Sequence, residues 1–169
     1  LLLVIIAVVL IIYCLNKSDP ETPKNPDIPI SKNKITLKIN ADELSFRVKL
    51  IHETFLDSID NITIDGNKTI NENYFYFNDT GLHKVEINFN KSLLTAKDMF
   101  YNCYNITEID LSEVKIQKID STANMFDGCY ELSSVNFTNF DTSSAKDMTN
   151  MFKRCYSLSE YNINFNTDN

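Results

Sequence analysis

The sequence predicts an α/β solenoid, with a parallel strand plus a short helix per turn. A small β-rich module and an N-terminal transmembrane helix precede it. Three observations carry this expectation. MFYNCYNITEIDL, MFDGCYELSSVNF and MFKRCYSLSEYNI open at Met99, Met125 and Met151, a constant period of 26 residues. A fixed period of that length marks one structural unit stacked on copies of itself. Residues 34–80 alternate apolar and polar side chains, and residues 1–15 carry no charge.

The first element is LLLVIIAVVLIIYCL, Leu1 to Leu15. As a helix it rises about 22 Å, against a hydrocarbon core of roughly 30 Å. The chain opens inside this apolar run without a Met, so the N-terminus is expected to be truncated, with a few upstream apolar residues completing the span; the stop at Asn169 just after an expected strand, with no polar capping segment, gives the same expectation for the C-terminus. No A-x-A-like cleavage site follows, which favours an uncleaved anchor over a signal peptide. Residues 16–33 hold all four prolines, at 20, 23, 26 and 29. A proline every third residue favours an extended spacer of on the order of 50 Å.

Orientation rests on two opposed signals. Lys17, Lys24, Lys32 and Lys34 flank the span and would place that side in the cytosol. Against them stand seven N-x-S/T sequons, at Asn16, Asn61, Asn67, Asn78, Asn90, Asn105 and Asn136, which mark surface loops of an exported chain. The sequons favour a single-pass cell-membrane protein with an extracellular C-terminal part, and the lysines a cytosolic membrane-bound scaffold.

Residues 34–80 read as the β-rich module. Ile35, Leu37 and Ile39, then Leu44, Phe46, Val48 and Leu50, alternate with polar residues. Asp65-Gly66 between two β-prone runs signals a hairpin, and Tyr74 to Phe77 suit a pleated face. The repeats fill 81–169, with units near 82, 99, 125 and 151. Each strand follows an L-x-x-L-x-L pattern: Ile106, Ile109, Leu111; Leu132, Val135, Phe137; Leu158, Tyr161, Ile163. Leu82, Val85 and Ile87 repeat the spacing as the first strand of the array. Before each Met-Phe a short helix is expected, because Met148, Met151, Phe152 and Cys155 recur at helical intervals. Ser144 with Asp147, and Thr95 with Asp98, resemble capping boxes.

In such a stack the repeated Met, Phe, Cys and aliphatic residues face inward. Cys103, Cys129 and Cys155 form one column of buried free thiols, lacking the short spacings of a metal site. Tyr104, Tyr130 and Tyr156 form a partly exposed column. Polar residues alternating with the core face outward, in columns Glu86, Asp110, Asn136, Asn162; Glu108, Ser134, Glu160; and Ser112, Thr138, Asn164. Extended faces of this kind bind partners in stacked-repeat proteins. Asp110 and Glu108 lack the dense acidic loop spacing of a calcium site.

M-F-x-x-C-x-x-L-x-x-[IVY]-[DN]-[LFI], together with the connector NFDTSSAKDMTNMF of Asn139 to Phe152, resembles the BspA-like leucine-rich repeat surface proteins over residues 82–169. The first connector, SEVKIQKIDSTAN, departs from that form. The resemblance implies a leucine-rich-repeat solenoid and a surface-displayed protein engaged in adhesion or partner contact.

Function classes narrow accordingly. A net charge of −7 with no basic cluster argues against nucleic acid. Three glycines in all, with no phosphate loop, G-x-S-x-G or H-E-x-x-H, argue against an enzyme or a bound cofactor. The leading expectation is a non-enzymatic surface protein that meets a protein or glycan ligand through its strand face. The runner-up is a self-associating surface coat.

Overall fold

A computed structural model describes residues 33–42, 47–116, 118–159 and 163–164. Contacts separate Leu1–Ser31 from Lys32–Asn169, and all of these residues lie in the second unit. Among the described residues nine strands form: β1 (Lys34–Ala41), β2 (Arg47–Lys49), β3 (Ile59–Ile64), β4 (Lys68–Ile70), β5 (Tyr74–Tyr76), β6 (Gly81–Phe89), β7 (Ile106–Asp110), β8 (Ser134–Asn136) and β9 (Ile163–Asn164). Seven build one sheet in the order β4-β3-β6-β1-β7-β8-β9, while β2 pairs with β5 alone. The large sheet is mixed. Pairing is antiparallel from β4 across to β7 and parallel from β7 to β9.

Period-2 alternation explains the sheet. Ile35, Leu37 and Ile39 of β1 are fully buried, and so are Val85 and Ile87 of β6 and Ile62 of β3, so one face is continuous with the core. The hairpin forms where Asp65-Gly66 signals it, with φ of 48° and 71° at those residues, as its turn requires. The first copy of the repeat strand behaves differently from its spacing. In β6 the buried residues are His83, Val85, Ile87 and Phe89, while Leu82 is 71% exposed. This strand runs antiparallel to β1, and β1 lies between it and β7.

The expected α/β solenoid is corrected by these findings. The fold is a mixed β-sheet, and the 3-10 helix Glu53–Ser58 is the only helix among the described residues. The segments expected to be helical are turns instead. Asp98 and Asn102, Asn124 and Gly128, and Asn150 and Arg154 all have positive φ, between 53° and 82°. A left-handed residue every fourth position breaks a right-handed helix. Backbone N–H groups that a helix would use internally turn outward to the neighbouring copy. Phe100 N donates to Met125 O at 2.8 Å, and Phe126 N to Met151 O at 2.9 Å. The acids read as helix caps instead close local turns, as when Asp147 Oδ1 accepts from Thr149 N at 2.9 Å.

The transmembrane expectation is likewise unsupported. Leu1–Leu15 and the spacer up to residue 32 lie outside the described residues. Among the described residues no helix is long and apolar enough to cross a membrane. The single-pass anchor and the cell-membrane location built on it therefore gain no support from the structure.

The three repeats do place identical residues over one another. Phe100, Phe126 and Phe152 stack with ring centroids 5.8 and 5.3 Å apart. Met99, Met125, Cys103 and Cys129 are fully buried beside them. The three thiols Cys103, Cys129 and Cys155 are free, and two of them donate to a carbonyl one turn back, Cys129 Sγ to Phe100 O and Cys155 Sγ to Phe126 O, both at 3.1 Å. Burial pushes the Cys103 thiol up to about 12 and Cys155 up to about 11, and it raises Cys129 well above the ordinary thiol value.

Candidate recognition surface

The outward face of the large sheet is built from the residues that alternate with the core. Strand register lines up one polar row across it. Thr69 pairs with Thr63, Thr63 with Glu86, Glu86 with Thr36, Thr36 with Asp110, Asp110 with Asn136, and Asn136 with Asn164. A second row runs Lys84, Lys38, Glu108, Ser134. Glu86, Asp110 and Asn136 thus share a row, as do Glu108 and Ser134. Two departures from the expected columns follow from the pairing. Thr36 of β1 stands between Glu86 and Asp110. The last rung is shifted, because Asn136 faces Asn164 rather than Asn162. Glu160 and Asn162 lie outside the described residues.

The row is tied together by its own hydrogen bonds. Asn136 Nδ2 donates to Asp110 Oδ1 at 3.0 Å, while Asp110 also accepts from Ser112 N at 2.9 Å. Asn136 Oδ1 in turn accepts from Thr138 N at 3.0 Å, the same local turn one copy later. Ser112, Ser134 and Thr138 are half-buried beside this ladder. A rigid polar ladder of this kind holds its groups in place before any partner arrives, which lowers the ordering cost of binding.

Lysines of β1 and β6 pair with two of the carboxylates of the face. Lys34 Nζ lies 2.9 Å from Glu86 and 3.7 Å from Glu113, Lys84 Nζ lies 3.0 Å from Glu86, and Lys38 Nζ lies 2.8 Å from Glu108. Hydrogen bonds from Lys34 and then Lys84 hold the Glu86 carboxyl below its usual range, against the opposing effect of burial. The hydrogen bond to Glu86 raises Lys34 correspondingly. Lysines thus pair Glu86 and Glu108, whereas Asp110 accepts from Asn136 Nδ2 and Ser112 N. The alternation K-I-T-L-K-I-N placed Lys34, Thr36 and Lys38 on one face of a strand, but nothing in the sequence put that strand beside β7.

The sequons fall into distinct settings. Asn67, Asn78 and Asn90 are exposed, Asn61 and Asn105 are half-buried, and Asn136 is held in the ladder. Asn61 Oδ1 accepts from Asn88 Nδ2 at 2.9 Å. Asn16 lies outside the described residues. Among the described residues no three His, Cys, Asp or Glu side chains gather in a way that could hold a metal ion.

Comparison with curated proteins and with solved structures finds no match. Residues 71–169, which carry β5 to β9 and all three Met-Phe-x-x-Cys turns, match the family described as "Mycoplasma protein of unknown function, DUF285". That match spans more than half of the chain, and the chain belongs to this family.

Proposed function

We propose that this chain is a non-catalytic recognition module whose partner, a protein surface or a glycan, lies across the outward sheet face. The observation that carries the reading is the ordered polar ladder Thr63, Glu86, Thr36, Asp110 and Asn136, in which lysines pair Glu86 while Asn136 and Ser112 N donate to Asp110. With both carboxylates engaged in this way, hydroxyl and amide groups make up most of the available donors and acceptors, which suits a neutral, hydrogen-bonding partner over a strongly charged one. The resemblance to BspA-like surface proteins supports the same reading.

The test is binding of the labelled chain to arrays of neutral glycans and immobilised surface proteins, with Ser134→Arg as the face variant. Ser134 is half-buried at the strand face, so the variant crowds the ladder without touching the core. Saturable binding that Ser134→Arg abolishes supports the proposal. Binding that is unchanged by this variant moves the site off the sheet face.

A further inference from the structure

The 3-10 helix Glu53–Ser58 and the segment 91–98 are joined by backbone hydrogen bonds at both of their ends. His52 N donates to Met99 O at 2.8 Å, and Asn90 N donates to Ser58 O at 3.0 Å. The segment is also pinned to the turn that follows it. Leu93 N donates to Lys115 O at 3.1 Å, and Ala96 N to Ser121 O at 2.9 Å. Between these two fixed walls lies an open cleft of about 510 Å³. Clefts of roughly 300 to 1,000 Å³ hold small molecules, and fixed walls lower the cost of binding one.

Three kinds of group line the cleft. Phe55 and Leu93 are buried and give it an apolar floor, to which Leu94 adds an aliphatic side chain that is 62% exposed. Ser58 and Ser92 offer half-buried hydroxyls that have no hydrogen-bond partner among the described residues. Lys91 and Lys97 are exposed, and neither forms an ion pair among the described residues.

Nearby acids leave these lysines available. Asp98 lines the cleft, and its Oδ1 accepts from Asn124 Nδ2 at 2.9 Å. Glu53 lies 3.8 Å from Lys49 and 3.6 Å from His52, and neither it nor Asp57 lines the cleft. Hydrogen bonds from Thr149 are the main cause that lowers the Asp147 carboxyl, and Lys97 is the smallest. The lining residues thus carry two positive charges and one negative, on a chain whose net charge is −7. Such a spot attracts an anion.

We propose that this cleft binds an acidic sugar, a polyhydroxylated ring that carries one carboxylate or sulfate group. The two ammonium groups suit the anion. Asp98 and the serine hydroxyls suit ring hydroxyls, because a carboxylate only accepts and a hydroxyl does either. Phe55, Leu93 and Leu94 suit the C–H face of the ring. A fatty acid would meet the lysines and the floor but set hydrocarbon against Asp98. A bare inorganic anion would meet the lysines alone. The cleft shares no residue with the polar ladder of the sheet, so this site is independent of the one proposed above.

The experiment titrates the full chain with glucuronate and with a sulfated glucose, against glucose and inorganic sulfate, followed by NMR. The expected result is saturable one-to-one binding of an acidic sugar, about tenfold tighter than glucose or sulfate and weaker in high salt. The double variant Lys91→Ala with Lys97→Ala should weaken it about tenfold, and Leu94→Ser about threefold. All three side chains are exposed, so these variants keep the fold. Lys153→Ala, which removes an exposed positive charge outside the cleft, should leave binding unchanged. Failure of both acidic sugars to bind overturns the proposal, and so does equal binding of glucose or inorganic sulfate. Indifference to the double lysine variant, or an equal loss in Lys153→Ala, overturns it as well.

Discussion

Arg154 Nε donates to Asp127 Oδ1 at 2.8 Å across adjacent turns, and Arg154 Nη2 reaches Asn102 Oδ1 two turns away at 3.4 Å. Asp127 is only 4% exposed, so its carboxylate depends on this guanidinium. The hydrogen bond to Asp127 raises the Arg154 pKa. Gly128 makes the arrangement possible, because a Cβ there would overlap Asn102 Oδ1. Arg154→Ala strands a buried charge, and the melting temperature is expected to fall by roughly 5 °C. Adding Asp127→Asn removes that charge and should recover more than half of the loss. A single variant that melts like the parent would show that water, not Arg154, solvates Asp127.

Thr122 gives a prediction of opposite sign. Its side chain is fully buried, and Oγ1 has no hydrogen-bond partner among the described residues. The equivalent position one copy earlier is Ala96, also fully buried. A lone buried hydroxyl costs its desolvation without return, so Thr122→Val, which keeps shape and branching, should stabilise by about 1 kcal/mol. The check is a higher urea midpoint at unchanged slope. A lower midpoint would mean that a bound water satisfies the hydroxyl.

What was legible in the sequence follows from what each signal encodes. Period 26 put Phe over Phe, Cys over Cys and Tyr over Tyr, because identical turns stack in register whatever their backbone conformation. The turn conformation itself was hidden. Met148, Met151, Phe152 and Cys155 have helical spacing, yet left-handed Asn150 and Arg154 decide the outcome, and Arg at positive φ carries no sequence signal. Asn and Gly at 102, 124 and 128 were the available clue. Half of the candidate face was legible from β7 and β8. The other half was not, because long-range pairing of β1 between β6 and β7 depends on register, which local alternation does not specify.

The thiol column predicts a reactivity order. Cys103 and Cys129 are fully buried, Cys155 is half-buried, and burial raises all three. Since the thiolate is the reactive form, alkylation of the native chain near neutral pH should, among these three, reach Cys155 first and leave Cys103 and Cys129 unmodified until urea unfolds the sheet. Site-by-site peptide mapping after timed alkylation reads this directly. Modification of Cys103 at the rate of Cys155 would contradict the buried column.

Glu86 and Lys34 make stability depend on pH at both extremes. The Glu86 carboxyl sits below its ordinary 4.5, so its contribution is complete above that value and is lost as pH falls through the folded pKa. Lys34 sits above its ordinary 10.5, so its contribution is complete below that value and is lost as pH rises through the folded pKa. Between these limits the interaction is at full strength. Glu86→Gln should therefore cost on the order of 1 kcal/mol near neutral pH, a modest figure because solvent still reaches the cluster. The gap between parent and variant urea midpoints should narrow as the pH falls below 4.5 and through the folded pKa of Glu86, beneath which both chains carry a neutral group at this position. It should also shrink in high salt, since the same three charges, Lys34, Glu86 and Lys84, generate it. A gap that persists unchanged into acid would assign the effect to packing of the side chain, and the charge pairing of the sheet face would lose its role in holding β1 against β6.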